Sequence, residues 1–246
     1  MTRLFSDEEL ADIARPFEDH AIQALDRGDI DAVRHWLGEM AQGPAGLDAL
    51  SAHTLARKVG KLRQDLGEEK ARQALVRIGQ QQMKTWVAQY RRGEVAAAIA
   101  DLVAVFKHQG GAGLAPLQES DDEVVLQLAP CGSGGRLERQ GLPRKHPEWY
   151  GGWSDGVSSF CQACKACQTA LNQALDAPAW TTEKGPDGSC RVRFDKLEQR
   201  GQALFPGDSA TTLTQTRVQQ AQARLDAGDH DIKPLLEGQL KDWKPW

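Results

Sequence analysis

From residue 6 to about residue 108 apolar side chains return every three or four positions, and that spacing commits the first part of the chain to α-helix. "EEKARQALVRIGQQQMKTWVAQY" carries Leu75, Ile78, Trp86, Val87 and Tyr90 at this period. "GEVAAAIADLVAVFKHQG" carries Val95, Ile99, Leu102, Val103 and Phe106, and ends in Gly110-Gly111. Upstream, "SDEELADIARPFEDHAIQAL" opens on Ser6 followed by acids, an N-cap pattern, and Pro16 interrupts it. "RGDIDAVRHWLGEM" reads as a second helix, "GPAGLD" as a loop and "ALSAHTLARKVGKLRQDL" as a third helix. Helices of this length with short connections point to a bundle over residues 1–112. The stripes are core positions and imply no cofactor.

The texture changes after Gly113. "DDEVVLQLAP" reads as a strand, and in "GSCRVRFDK" Val192 and Phe194 alternate with Arg191 and Arg193. "APAWTTE" can pair with that last strand through the turn "GPDG". Between the strands lie a glycine-rich loop and a helix, "CQACKACQTALNQAL". Residues 113–205 therefore read as a small sheet domain, and residues 206–246 as a helical tail. "RLDAGDHD" in the tail echoes "ALDRGDID" near the N-terminus, which suggests two similar helix–turn–helix breaks. The expected fold class is α+β: an N-terminal helical bundle, a cysteine-rich metal-binding sheet domain and a helical C-terminal tail.

Four of the five cysteines fall in the short region from Cys131 to Cys167, and none precedes it. An odd count in a chain of 246 residues does not suit a disulfide framework. The N-terminus shows no apolar signal core and no stretch reaches membrane-spanning length, so a cytoplasmic protein with no membrane partner is expected. A net charge of −4 gives no basic surface for nucleic acid. Clustered thiols in a reducing compartment then point to metal or thiol chemistry.

Cys161, Cys164 and Cys167 form CxxCxxC, whose side chains share one broad face of a helix. Soft thiolates with one imidazole suit zinc, and the preferred ligand set is Cys131, His146, Cys161 and Cys164. An iron–sulfur cluster is the alternative cofactor, although no Cys-Pro run follows Cys167. Cys190 is either a core residue or a nucleophile beside the metal. "GSGGR" lacks phosphate-loop spacing and no strong helix follows it directly, but Arg136 with the loop could hold an anionic substrate. Trp149 and Trp153 are candidate pocket walls or core residues. Glu148 and Asp155 are the nearest candidate general bases.

The sequence "PCGSGGRLERQG", then "HPEWYGG", then CxxC, then a cysteine opening a strand, resembles a group of uncharacterised bacterial proteins over residues 124–195. The carrying positions are Cys131, Gly132, Gly134, Gly135, Arg136, His146, Pro147, Cys161, Cys164 and Cys190. The order of elements is more distantly similar to L-2-amino-thiazoline-4-carboxylate hydrolase-like proteins and 4-vinyl reductase domains. The expectation is a zinc-dependent hydrolase or lyase acting on a small polar molecule, or a non-catalytic zinc-stabilised module that binds or senses one.

Overall fold

The computed structural model describes residues 15–110, 117–129, 131–185 and 187–237, with residues 6, 8, 12 and 115; for residues 42–48 and 108–110 it describes the backbone alone. Much of the helix expected around residues 7–14, the chain around Gly113 and Pro130, and the last stretch of the tail lie outside the described residues. The chain divides into two compact units, residues 1–44 with 216–246, and residues 45–215. The boundary drawn near residue 112 thus falls inside the second unit.

The first unit contains α1 (Phe17–Asp26), the start of α2 (Ile30–Leu66), α11 (Arg217–Asp226) and α12 (Lys233–Leu236). Its core is Ala21, Ala24, Val33, Leu37 and Met40 with Val218, Ala221, Leu225, Ile232 and Leu236. The echo between the two ends is a shared turn. Gly28 and Gly228 both take positive φ, at 71° and 77°. In each turn the next N–H reaches back to the helix: Asp29 to Ala24 O and Asp229 to Arg224 O, both at 2.9 Å. Glycine closes both helices because this left-handed position strains any residue with a Cβ.

The second unit holds the rest of α2, then α3 (Glu68–Gln82), α4 (Lys84–Arg91) and α5 (Val95–Gly110). The expected "GPAGLD" loop is helical instead. Buried Leu37 and Met40 before it, and Ala52, Ala56 and Val59 after it, keep helical spacing across it. The single stripe from Glu68 to Tyr90 splits at Met83, and Ile78 points to solvent. After α5 come β1 (Gln118–Glu119), β2 (Glu123–Leu128), α6 (Gly134–Arg139), α7 (Leu142–Lys145), α8 (Pro147–Tyr150), α9 (Ser159–Leu175), β3 (Trp180–Lys184), β4 (Cys190–Asp195) and α10 (Asp208–Thr214).

The four strands form one antiparallel sheet in the order β1-β2-β4-β3. Strand alternation sets its core face: Val124 opposes Phe194, Leu126 opposes Val192 and Leu128 opposes Cys190. Helices α5 and α9 supply Ile99, Val103, Phe106, Ala170 and Leu171 to the same core. Phe106 meets Trp180 edge-on at 5.9 Å. On α9 the other face packs on α3, where a Cβ at Gly79 would lie 2.9 Å from Ala166 O. The register of β2 against β4 carries one consequence for chemistry: it ends at Leu128–Cys190, three residues before Cys131.

Candidate functional site

Cys131 leaves β2 and its N–H donates to Gly188 O at 3.1 Å, which ties the loop to the entry of β4. The chain then turns at Gly132 and Ser133 into α6, a helix the sequence reading did not anticipate. The turn directs three backbone N–H groups, those of Ser133, Gly134 and Gly135, onto Cys131 Sγ. Side chains would block this approach. A Cβ at Gly134 would lie 2.5 Å from Cys161 Sγ, and one at Gly135 would fall on Gly188 O.

Cys190 donates its S–H to Cys131 Sγ, the largest of the influences that hold the Cys131 thiol below the ordinary thiol range. The three N–H groups act in the same direction, and burial opposes them. Cys190 is correspondingly pushed far up by that bond, by burial and by the nearby Cys131 charge. The pair therefore shares one proton, with the negative charge on Cys131. Burial pushes Cys161 up to about 11, and Cys164 rises well above its ordinary value for the same reason.

Cys131, Cys161, Cys164 and Cys190 line one cavity of about 200 Å³. Leu128, Phe106 and Val192 form its buried side, while Val157 and Phe160 stand at its more open side. Lys165 and Lys184 also line it, and each already has a carboxylate partner: Asp155 at 3.0 Å and Glu138 at 2.6 Å. Cys167 turns away and donates to Gln82 Oε1 at 3.1 Å, across the α9–α3 contact.

The other expected site residues lie outside this cavity lining. His146 links α7 to α8; its side chain is 54% exposed and its Nδ1 is 3.5 Å from Glu148 Oε1. Glu148 is exposed, and its backbone carbonyl accepts from Gln64 at 2.6 Å. Trp149 lies under Arg57, with 5.3 Å from the guanidinium to the ring. Trp153 is a core residue sandwiched near Arg63 and Arg72, and its Nε1–H donates to Ser159 Oγ at 3.1 Å. Arg136 is part-buried on α6 and does not line the cavity. Asp155 is a hub: it accepts from Val157 N and Gln162 Nε2 and pairs with Lys165 and Arg72. Burial raises its pKa, yet Lys165, Val157 and Arg72 together hold it below the usual carboxylate range. An ionised carboxylate so fully engaged is a poor general base at neutral pH.

The expected zinc ligands therefore do not fit as a set, because His146 does not face the cavity the cysteines share. Among the described residues no three His, Cys, Asp or Glu side chains stand where they could together hold a metal ion. Sequence reasoning missed the Cys131–Cys190 contact. Its signal was present in the alternation Leu128, Val192, Phe194, which registers β2 on β4 and leaves Cys190 opposite the last residue of β2.

No protein-family model matches the chain, and no curated protein or solved structure matches it. Among the described residues no helix is long and apolar enough to cross a membrane.

Proposed function

We propose that Cys131 and Cys190 form a peroxide-reactive dithiol that reduces a hydroperoxide and cycles through a disulfide. The observation that carries this reading is the contact itself: a sulfur that three backbone N–H groups and a second thiol donate to, at the wall of a cavity. A thiolate is the attacking species, and its stabilisation by fixed donors raises its population at neutral pH.

In the first step Cys131 Sγ attacks the distal oxygen of ROOH. An S–O bond forms, the O–O bond breaks, and RO⁻ leaves to take a proton from water as ROH. Cys131 becomes a sulfenic acid, the first rung of thiol oxidation. Cys190 sulfur then attacks Cys131 sulfur; the S–S bond forms, the S–O bond breaks, and hydroxide leaves with the Cys190 proton as water. An external dithiol returns two electrons and two protons and restores both thiols. Burial and raised pKa make Cys161 and Cys164 poor competitors for the first step.

The test is peptide mass mapping after a stoichiometric pulse of hydrogen peroxide or tert-butyl hydroperoxide. The expected product is a Cys131–Cys190 disulfide, reversed by dithiothreitol. Cys190→Ala should stop at a sulfenic acid that dimedone traps on Cys131, and Cys131→Ser should give neither species. Elemental analysis of the protein as isolated accompanies it. About one zinc per chain, lost with Cys131→Ser and shielding Cys131 from alkylation, would overturn the dithiol reading in favour of a thiolate metal centre.

A further inference from the structure

We infer that the substrate of this dithiol is a neutral organic hydroperoxide with an apolar substituent, in preference to hydrogen peroxide or a charged peroxide. The inference rests on the dithiol reading and adds the substrate class.

The walls of the cavity decide its chemistry. Phe106, Leu128, Val157, Phe160 and Val192 line the same cavity as Cys131 and Cys190, the first two and Val192 on its buried side. Phe106, Leu128 and Val192 belong to the main core cluster, so this lining is part of the packed interior. A hydroperoxide placed with its O–O group at Cys131 Sγ would lay its organic part against these side chains. Apolar surface removed from water in this way favours binding by about 25 cal/mol per Å². Hydrogen peroxide has no such part and gains nothing from the walls.

Charge points the same way. Among the described residues that line the cavity the charged ones are Lys165 and Lys184, and both are ion-paired at 3.0 and 2.6 Å. Each ammonium already faces a carboxylate, which offsets the attraction either would offer an anionic substrate. Asp155 is fixed beside Lys165 by Arg72, Gln162 and Val157 N, so its negative charge stays at the cavity. Arg136, the anion partner expected from the sequence, is not at the cavity. A volume of about 200 Å³ limits the substituent to a small alkyl or single-ring aryl group.

The experiment is stopped-flow oxidation of the reduced full-length protein, followed by loss of free thiol and checked by mapping the Cys131–Cys190 disulfide. Cumene hydroperoxide, tert-butyl hydroperoxide, hydrogen peroxide and peroxymonosulfate serve as probes. The expected second-order rate constants favour the two organic peroxides over hydrogen peroxide by about tenfold or more, the discrimination that a few buried methylene groups supply. With each rate divided by that of free glutathione with the same oxidant, peroxymonosulfate should show no advantage over hydrogen peroxide. Phe160→Asp, checked for native secondary structure by circular dichroism, should lower the organic-to-hydrogen-peroxide ratio. A ratio at or below one in the wild type would overturn the substrate class while leaving the dithiol reading in place, provided the mapped disulfide forms. Absence of that disulfide with every probe would overturn both.

Discussion

Gly134 and Gly135 let backbone N–H groups approach Cys131 Sγ. Each gives up its side chain to let backbone N–H groups reach sulfur, one beside Cys161 Sγ and the other against Gly188 O. Gly135→Ala must move backbone on the β4 side of the loop, an overpacking strain of roughly 1–3 kcal/mol. The expected result is a lower urea midpoint together with slower alkylation of Cys131 at neutral pH. Gly134→Ala meets a side-chain sulfur, which can rotate, so a smaller loss of stability is expected. The Cys190 S–H is the largest lowering influence on Cys131. Cys190→Ala therefore should move the inflection of the Cys131 alkylation rate upward toward the ordinary thiol value of about 8.5. In the wild type, alkylation should persist at pH values below that inflection. An unchanged profile in Cys190→Ala would show that the two sulfurs do not share a proton.

At the scale of elements, the loop after β4 is fastened by a buried ion pair. Lys196 is 1% exposed, and its Nζ lies 2.7 Å from Glu119 Oε1 and donates to Gln202 O at 2.5 Å. Glu119 also accepts from Leu204 N at 2.5 Å and Phe205 N at 2.9 Å. Lys196→Ala strands this carboxylate and should cost roughly 3–5 kcal/mol in urea unfolding, whereas Lys196→Met, which refills the volume, should cost less. Burial raises the Glu119 pKa, but Lys196 and the two N–H donors bring it below the ordinary value. A lowered folded pKa gives stability present above the unfolded value of about 4.3 and lost as pH falls through the folded one. The deficit of Lys196→Met should therefore shrink in acid, and a pH-independent deficit would sink this account. The cysteine helix and three of the strands were legible because "CQACKACQTALNQAL" has helical period and Val192 and Phe194 alternate. The pair Lys196–Glu119 was not, because its partners lie on opposite sides of the whole sheet sequence. His146 misled for a related reason: spacing brings a histidine near a cysteine in sequence, while the turn from α7 to α8 sets its side chain half in solvent beside Glu148.

On the scale of the whole molecule, the chain holds separate hydrophobic clusters, and their membership follows the two units. Among the described residues, the cluster around Leu37, Met40, Ala221 and Leu225 draws on residues 1–44 and 216–246. Among the described residues, the cluster beneath the cysteines, with Phe106, Leu126, Leu171 and Phe194, draws on residues 45–215. No pattern in the sequence announced that the two ends share a core, apart from the repeated turn at Gly28 and Gly228, because period identifies a buried face but not its partner. Leu37 is fully buried in the first unit, and Leu37→Ala should cost that unit roughly 2–5 kcal/mol. Leu126→Ala removes a similar volume from the cluster that carries β2, and through β2 the position of Cys131. Circular dichroism melting should show a lowered transition in both variants. The Cys131 alkylation rate in the folded range should change only in Leu126→Ala. If Leu37→Ala altered that rate equally, the thiolate would depend on both cores, and the two units would have to be treated as one cooperative fold.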